Sequence, residues 1–117
     1  MRIIYFLKPV GADGPIKIGS SVLLAERVSE LSGWSPVPLE LMGTVPGEIW
    51  QESYLHRCFA KDHSHKEWFR ATPRLVEAIL AILAAGSVEA VTKDLKPEGG
   101  IRRNPTQTWR HRRKAAA

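Results

Sequence analysis

Short apolar runs and helically spaced apolar positions follow one another along most of the chain. The run at residues 3–7 is continuous, β-branched and aromatic, which predicts a buried strand. A second strand is predicted at 16–18, after a turn rich in Gly and Pro, so that the two form an antiparallel hairpin. The partly alternating segment 37–45 predicts a third strand. Residues 62–66 are polar and predict a loop.

Three other segments have the apolar spacing of amphipathic helices. The first runs from a serine cap at 20 or 21 to about residue 32, the second from Pro46-Gly47 to about residue 61, and the third covers 74–85 after the cap pair Thr72-Pro73. Their core sides are expected to carry, in order, Leu24, Val28 and Leu31; Trp50, Leu55, Cys58 and Phe59; and Leu75, Ile79, Ile82 and Leu83. The order β-β-α-β-α-α predicts an α/β (α+β) fold in which helices flank a three-stranded, mostly antiparallel sheet.

The charges divide the chain near residue 92. Residues 1–92 hold nine Lys and Arg against ten Asp and Glu, giving −1, whereas residues 93–117 hold eight against two, giving +6, so the net charge of +5 comes from the C-terminal segment. That segment contains Pro97, Gly99-Gly100 and Pro105 and has no apolar period, which predicts a flexible basic tail (93–117) after one folded domain (1–92).

Two interpretations of the tail stay open: a solvated end, or an arm that binds a nucleic-acid backbone. An aromatic residue among arginines favours the second, because its ring can stack on a base. The candidate nucleic-acid-binding residues are Arg102, Arg103, Trp109, Arg110, Arg112, Arg113 and Lys114.

Several classes of protein do not fit the sequence. A single cysteine, Cys58, excludes an intramolecular disulfide framework and fits a reducing compartment. No stretch approaches the roughly 20 apolar residues that a membrane-spanning helix needs, and Lys8 interrupts the N-terminal apolar run where a signal peptide would continue. We therefore expect a cytoplasmic, intracellular chain without an organic cofactor, and a monomer.

The central helix carries the first candidate chemistry. Glu52 and His56 are four residues apart and share one face of it, beside its apolar stripe. The predicted fold also places Tyr5, Lys17 and Arg27 on three other elements, from which they could converge with Glu52 at one surface.

The order of elements and these residues resemble the GIY-YIG endonuclease superfamily, and most closely its compact branch named after a coliphage reading frame and a meiotically up-regulated yeast gene. The resemblance covers roughly residues 2–80 and rests on four segments in the same order. These are IIYFL, IKIG followed by an arginine eight residues later, PVPLELMGTVPG, and ESYLHRCF followed closely by EWF.

The resemblance implies a metal-dependent DNA endonuclease that cleaves phosphodiester bonds with Mg²⁺ or Mn²⁺. It implies that Tyr5 is the tyrosine of the first motif and that Glu52 binds the metal, while Lys17 replaces the tyrosine of the second motif. Arg27 matches the helix arginine and His56 the histidine frequent in this branch, so the implied catalytic set is Tyr5, Lys17, Arg27, Glu52 and His56. The closing segment Glu67-Trp68-Phe69 is expected to serve mainly in packing, with Trp68 and Phe69 in the core.

The residue types suit that chemistry. Mg²⁺ often takes only one or two carboxylates, so Glu52 is a suitable ligand, and Arg27 offers a bidentate fork to a phosphate. Tyr5 could orient or deprotonate the attacking water, but a free phenol titrates near 10, so acting as a base requires a lowered pKa. Lys17, Arg27 or the metal could lower that pKa, and Lys17 could instead contact the phosphate directly.

Plainer roles stay open for each residue: Tyr5 as a strand aromatic, Lys17 and Glu52 as solvated side chains, Arg27 as a surface partner of Glu30 or Glu26, and His56 as a core-edge group. His63 and His65 are expected at the surface, Cys58 buried, and Trp34 and Trp50 in packing. Two other functions also stay open. One is a DNA-binding module of the same fold with little or no cleavage, and the other is a protein-interaction domain whose tail docks on an acidic partner.

Overall fold

A computed structural model of the chain describes residues 1–97. Its centre is a five-stranded antiparallel sheet in the order β3-β1-β2-β5-β4. The strands are β1 (Ile3–Pro9), β2 (Ile16–Ser21), β3 (Leu39–Pro46), β4 (His63–His65) and β5 (Trp68–Phe69). The helices are α1 (Leu24–Trp34), α2 (Ile49–Cys58) and α3 (Pro73–Ala85), with 3₁₀ turns at Ala60–Asp62 and Val88–Val91.

The predicted α+β class is confirmed, but the prediction of three strands is wrong. The two additional strands, β4 and β5, lie where a polar loop and a packing segment were predicted. They are three and two residues long, which is too short for a period of two to appear in the sequence. Their polar composition reflects exposure, because all three residues of β4 are exposed.

The main core lies on one face of the sheet, between it and helices α2 and α3. The sheet contributes Ile4, Phe6, Ile16 and Ile18, which are fully buried. The helices contribute Leu55, Cys58, Phe59, Leu75, Ile79 and Ile82. Thr72 accepts a hydrogen bond from the backbone N–H of Leu75 (3.3 Å) and Gly86 ends α3 in the left-handed conformation (φ 77°), as the sequence of that helix predicts.

Helix α1 follows β2, and none of its residues is fully buried. Its predicted core stripe of Leu24, Val28 and Leu31 is only half-buried. An apolar stripe predicts which side of a helix faces the protein, but not how closely the protein covers it. Helix α1 is therefore a lightly packed element.

Two tryptophans that were expected to pack are exposed. Trp34, the last residue of α1, is 73% exposed, and Trp50, in the first turn of α2, is 59% exposed. Helix α2 turns Leu55 and Cys58 inward instead and ends at Cys58, three residues before the predicted end. Trp68 is half-buried, whereas Phe69 is buried as predicted.

After α3 the chain returns to the core. Val88 and Val91 are buried, and the Tyr54 hydroxyl donates to the carbonyl oxygen of Leu95 (2.7 Å). No helix between residues 1 and 97 is long and apolar enough to cross a bilayer. The flexible tail was predicted to begin at residue 93, but Leu95 still packs against the core. The rest of that segment, with all seven candidate nucleic-acid-binding residues from Arg102 to Lys114, falls in 98–117, outside the described residues.

Candidate functional site

The site lies where strand β2 extends beyond the end of its neighbour β5. Strand β5 pairs with β2 only at Ile16 and Lys17, while β2 continues to Ser21. Within residues 1–97, no strand pairs with residues 18–21 on this side, and we call this stretch the open edge of β2. Side chains from both faces of the sheet can meet at such an edge, since nothing separates them there.

Tyr5 is fixed beside this edge by a glycine on the neighbouring strand. Tyr5 and Gly19 are direct cross-strand partners. A Cβ on residue 19 would lie 2.5 Å from both Cζ and Oη of Tyr5, a distance at which atoms overlap. The glycine of the IKIG segment is therefore required because the tyrosine ring occupies the space above it.

The Arg27 guanidinium of α1 lies near the Tyr5 hydroxyl and acts on its ionisation. Burial raises the pKa of Tyr5 above its ordinary value, and the nearby guanidinium offsets this only in part. The phenol consequently keeps its proton at neutral pH. The predicted use of Tyr5 as a base would need a further change in its surroundings.

Arg27 is both a surface partner of Glu30 and a neighbour of Tyr5, two roles that were considered from the sequence. Its Nη1 donates to Oε1 of Glu30 at 2.8 Å, an i,i+3 pair on the outer side of α1. Its guanidinium also reaches Tyr5, and its side chain is 40% exposed. A half-exposed guanidinium held at a buried hydroxyl still has donors available for a phosphate.

Glu52 approaches the open edge from α2. Its Oε1 accepts from the Ser20 hydroxyl at 2.6 Å, and Ser20 Oγ in turn accepts from Nη1 of Arg2 at 3.2 Å. The Glu52 side chain is only 13% exposed. Burial, and then the negative charge of Glu67, raise the pKa of Glu52 to about 7. This places a carboxyl group with unusual protonation at Ser20, the residue after the cross-strand partner of Tyr5.

The neighbouring carboxyl group, Glu67, was assigned to packing from the sequence, and the structure corrects this. Oε1 of Glu67 lies 2.8 Å from Nζ of Lys17, and the negative charge of Glu67 acts on Glu52. Burial of Glu67 opposes ionisation, but the Lys17 ammonium outweighs that effect and lowers the pKa of Glu67. The only sequence signal for this contact is the position of Glu67 directly before Trp68-Phe69.

Lys17 is part of the same cluster. The residue is 5% exposed, and its ammonium also lies 5.8 Å from the centre of the Trp68 ring. A buried lysine needs a partner of opposite charge, which Glu67 supplies. The structure thus brings Lys17 to the site, although its direct contact is with Glu67 and the aromatic ring.

His56 stands one turn after Glu52 and binds the backbone of β2. Its Nε2 lies 2.8 Å from the carbonyl oxygen of Ile18 and 3.6 Å from Oε2 of Glu52. A carbonyl oxygen only accepts, so Nε2 carries the hydrogen in this bond. While the bond persists, that nitrogen can neither take a proton nor bind a metal. This contact makes His56 a clamp between α2 and the open edge.

The oxygen donors of the site are two carboxyl groups and a hydroxyl, from Glu52, Glu67 and Ser20. Hard divalent cations prefer oxygen ligands, and Mg²⁺ commonly takes one or two carboxylates with water and phosphate oxygens. This donor set therefore fits the metal that the sequence resemblance implies. Within the described part of the chain, no group of three or more His, Cys, Asp and Glu side chains is arranged so that it could hold a metal ion by itself.

The other two histidines of residues 1–97 lie outside this cluster. His63 and His65 are exposed on β4, as predicted. The His65 ring stacks on Trp68 with centroids 6.4 Å apart, and Nε2 of His63 contacts the carbonyl oxygen of Lys66 at 2.6 Å. These contacts occupy both rings within the β4–β5 hairpin.

Comparison with protein-family models gives a match over residues 2–84, to a family described as the T5orf172 domain. The match begins before β1 and ends near the end of α3. It therefore covers every residue of the site. Comparisons with curated proteins and with solved structures gave no match.

Proposed function

Because the chain belongs to the T5orf172 domain family, the coliphage-named branch expected from its sequence, we propose that it is a metal-dependent DNA endonuclease of the GIY-YIG type. The family is generally associated with nuclease and DNA-binding function. The proposal specifies the reaction as hydrolysis of a phosphodiester bond and the cofactor as Mg²⁺ or Mn²⁺. DNA is the proposed substrate.

One observation carries the proposal: a phenol, a guanidinium and a carboxyl group meet at the open edge of β2 from three different elements. Tyr5 comes from β1, Arg27 from α1 and Glu52 from α2. The cross-strand pair of Tyr5 with Gly19, and the hydrogen bond from Ser20 to Glu52, hold two of them to β2. A stable fold does not require this convergence of polar groups, and enzymes concentrate such groups where chemistry occurs.

Each residue has a task that its surroundings support. Arg27 binds a phosphate oxygen of the scissile bond with its exposed donors. Tyr5 keeps its proton and orients the attacking water through its hydroxyl. Glu52 would hold the divalent cation, which when bound neutralises charge on the phosphate and on the leaving oxygen. His56 keeps α2, and with it Glu52, in register with β2.

A second candidate function is DNA binding without efficient cleavage. It is favoured by the Lys17 ammonium, which stands where the motif has a tyrosine and is engaged by Glu67. A positive charge already at the carboxyl groups competes with a divalent cation, and no second phenol is available there. In this alternative the same surface binds the phosphate backbone of DNA and cleaves it slowly or not at all.

Plasmid cleavage distinguishes the two functions. Supercoiled plasmid is incubated at low salt with Mg²⁺ or Mn²⁺ and the wild type, Glu52→Gln or Arg27→Ala. Glu77→Gln serves as the matched control, because Glu77 is an exposed carboxylate on the distant α3. We expect nicking or linearisation by the wild type and the control, and a loss of about a hundredfold or more in both site variants.

The same samples are tested for DNA retention in gel shifts. Cleavage lost with retention preserved supports the nuclease. No cleavage by the wild type with either metal, together with clear retention, favours the binding module. Neither cleavage nor retention overturns both functions.

A further inference from the structure

Glu67 has no packing role that would explain its position. In its segment, the side chains that pack in the core are those of Phe69, which is 1% exposed, and of the half-buried Trp68. The Glu67 side chain is 42% exposed, whereas that of Glu52 is 13% exposed. Glu67 is thus the member of the carboxyl pair that faces solvent, where a ligand would enter.

The backbone holds Glu67 in place. Its carbonyl oxygen accepts from the backbone N–H of Ile18 at 3.1 Å, and the next residue, Trp68, pairs with Lys17 across β2 and β5. The turn before it is tight, since Lys66 adopts a positive φ of 50°. Glu67 therefore reaches the open edge from a fixed backbone, as a preorganised ligand does.

Two carboxyl groups lie around Ile18 of β2. His56 Nε2 contacts both the Ile18 carbonyl oxygen (2.8 Å) and Oε2 of Glu52 (3.6 Å), and the Ile18 N–H donates to the backbone carbonyl of Glu67. Lys17 is the ammonium in contact with Glu67. Like charges held near each other repel in a partly buried site. A divalent cation between two carboxylates removes the repulsion, and the pair supplies the oxygen donors that Mg²⁺ and Mn²⁺ accept.

We propose that Glu67 is a second carboxylate ligand of the divalent cation, beside Glu52, and that Lys17 is the internal counter-ion that neutralises Glu67 when the cation is absent. The proposal rests on the proposed function for what the cation does, but cation binding itself can be measured without DNA. It assigns Lys17 a charge-balancing role, distinct from that of the tyrosine it replaces.

The test measures binding of Mn²⁺ alone to the full chain, by isothermal titration and by loss of the free-ion electron paramagnetic resonance signal. Glu52→Gln and Glu67→Gln are each expected to weaken binding by about tenfold or more, since loss of a supporting group alone costs about 10- to 100-fold. Glu77→Gln is the control and should bind as the wild type does. Glu67→Asp keeps the charge with a shorter reach and should fall between the wild type and Glu67→Gln.

Lys17→Met examines the counter-ion. Removal of a positive charge from the site should tighten Mn²⁺ binding, whereas a purely structural lysine would leave it unchanged or weaken it. Binding as weak as in Glu67→Gln would overturn this role. Thermal unfolding of each variant without metal reports whether the fold persists, and Glu67→Asp provides the comparison if Glu67→Gln does not fold.

The outcomes separate this inference from the proposed function. Mn²⁺ binding that falls in Glu52→Gln but not in Glu67→Gln overturns the inference and leaves the nuclease standing. Binding that depends on both carboxylates, in a wild type that does not cut plasmid, supports the inference and overturns the nuclease. A wild type that binds no Mn²⁺ overturns the inference directly.

Discussion

At the scale of single residues, the site depends on the absence of a side chain at Gly19 as well as on the side chains that are present. The ring of Tyr5 occupies the space that a side chain at residue 19 would need. The identity of residue 19 is therefore set by a residue on another strand. Glycine in a strand interior otherwise weakens the strand, so its presence here reflects the closeness of that ring.

Gly19→Ala should displace the Tyr5 ring, because the new methyl group would overlap Cζ and Oη. We expect plasmid cleavage to fall by about tenfold or more, because a small displacement of a group that takes part in the reaction lowers the rate. Gly33→Ala is the matched control, since nothing lies within 4 Å of that position in α1 and alanine favours a helix. Wild-type cleavage by Gly19→Ala would show that the ring position is unimportant.

The two tyrosines of the chain predict a pH dependence. Burial raises the pKa of Tyr5, and burial followed by the neighbouring Cys58 raises the pKa of Tyr54 to about 12. A raised pKa means that the folded state binds protons more tightly than the unfolded state. Their contribution to stability is therefore complete below about pH 10 and is lost as the pH rises toward 12.

Absorbance at 295 nm follows phenolate formation in the native protein and in denaturant. The native chain should titrate later than the unfolded one, and Tyr5→Phe should leave a single late transition near pH 12. A native transition at the ordinary value for either phenol would contradict the burial of its hydroxyl.

At the scale of elements, the three helices are held to the sheet with different strength. Helix α3 buries Leu75, Ile79 and Ile82, whereas α1 buries no residue completely yet carries Arg27. Regions with few buried apolar contacts open at low free-energy cost. Arg27, the proposed phosphate-binding group, is therefore on the helix that can move most easily, whereas Glu52 is on the more firmly packed α2.

Ile79→Ala should lower the free energy of unfolding by about 2–5 kcal/mol, because it leaves a cavity in the core. Val28→Ala should change it by less than about 1 kcal/mol, since Val28 is only half-buried and alanine is the better helix former. Urea denaturation measures both. Equal losses would mean that α1 is packed as firmly as α3.

The elements also show what local sequence could and could not predict. Helix α3 was predicted closely because its cap pair, apolar spacing and final glycine are all local signals. Strands β4 and β5 were missed because a strand of two or three residues exists only through its partners. Glu67 was missed for the same reason, since its contact with Lys17 depends on the register between β2 and β5.

Tyr5, Arg27 and Glu52 were predicted from the sequence as one site. The structure places Tyr5 opposite Gly19 and Glu52 on Ser20, which are neighbouring residues of β2, and places Arg27 near Tyr5. The exposure of Trp34 and Trp50 could not be predicted, because an apolar residue at the end of a helix packs only if another element reaches it.

At the scale of the whole molecule, charge is divided between two parts of the chain. Residues 1–97 hold eleven Lys and Arg and eleven Asp and Glu, so their net charge is zero, and residues 98–117 supply the entire +5. A neutral folded part gains little affinity for DNA from long-range attraction. Affinity should then come largely from the C-terminal residues, and chemistry from the folded part.

A chain that ends at Pro97 should keep its fold, because the described packing reaches only to Leu95. It should bind DNA more weakly than the full chain, and the dependence of affinity on salt should be shallower, since up to six basic residues no longer displace counterions. Gel shifts between about 50 and 200 mM salt measure both. An unchanged salt slope would place the DNA-binding surface in the folded part.

The burial of Cys58 has a practical consequence. It is the single cysteine of the chain, and it is fully enclosed on the same helix as Glu52 and His56. A thiol-modifying reagent can reach it only when α2 separates from the sheet, so the rate of labelling under native conditions reports how often the site comes apart. The labelling rate of Cys58 thus measures the opening of α2 without any engineered probe. If Mn²⁺ or DNA binds at this helix, its addition should slow the labelling.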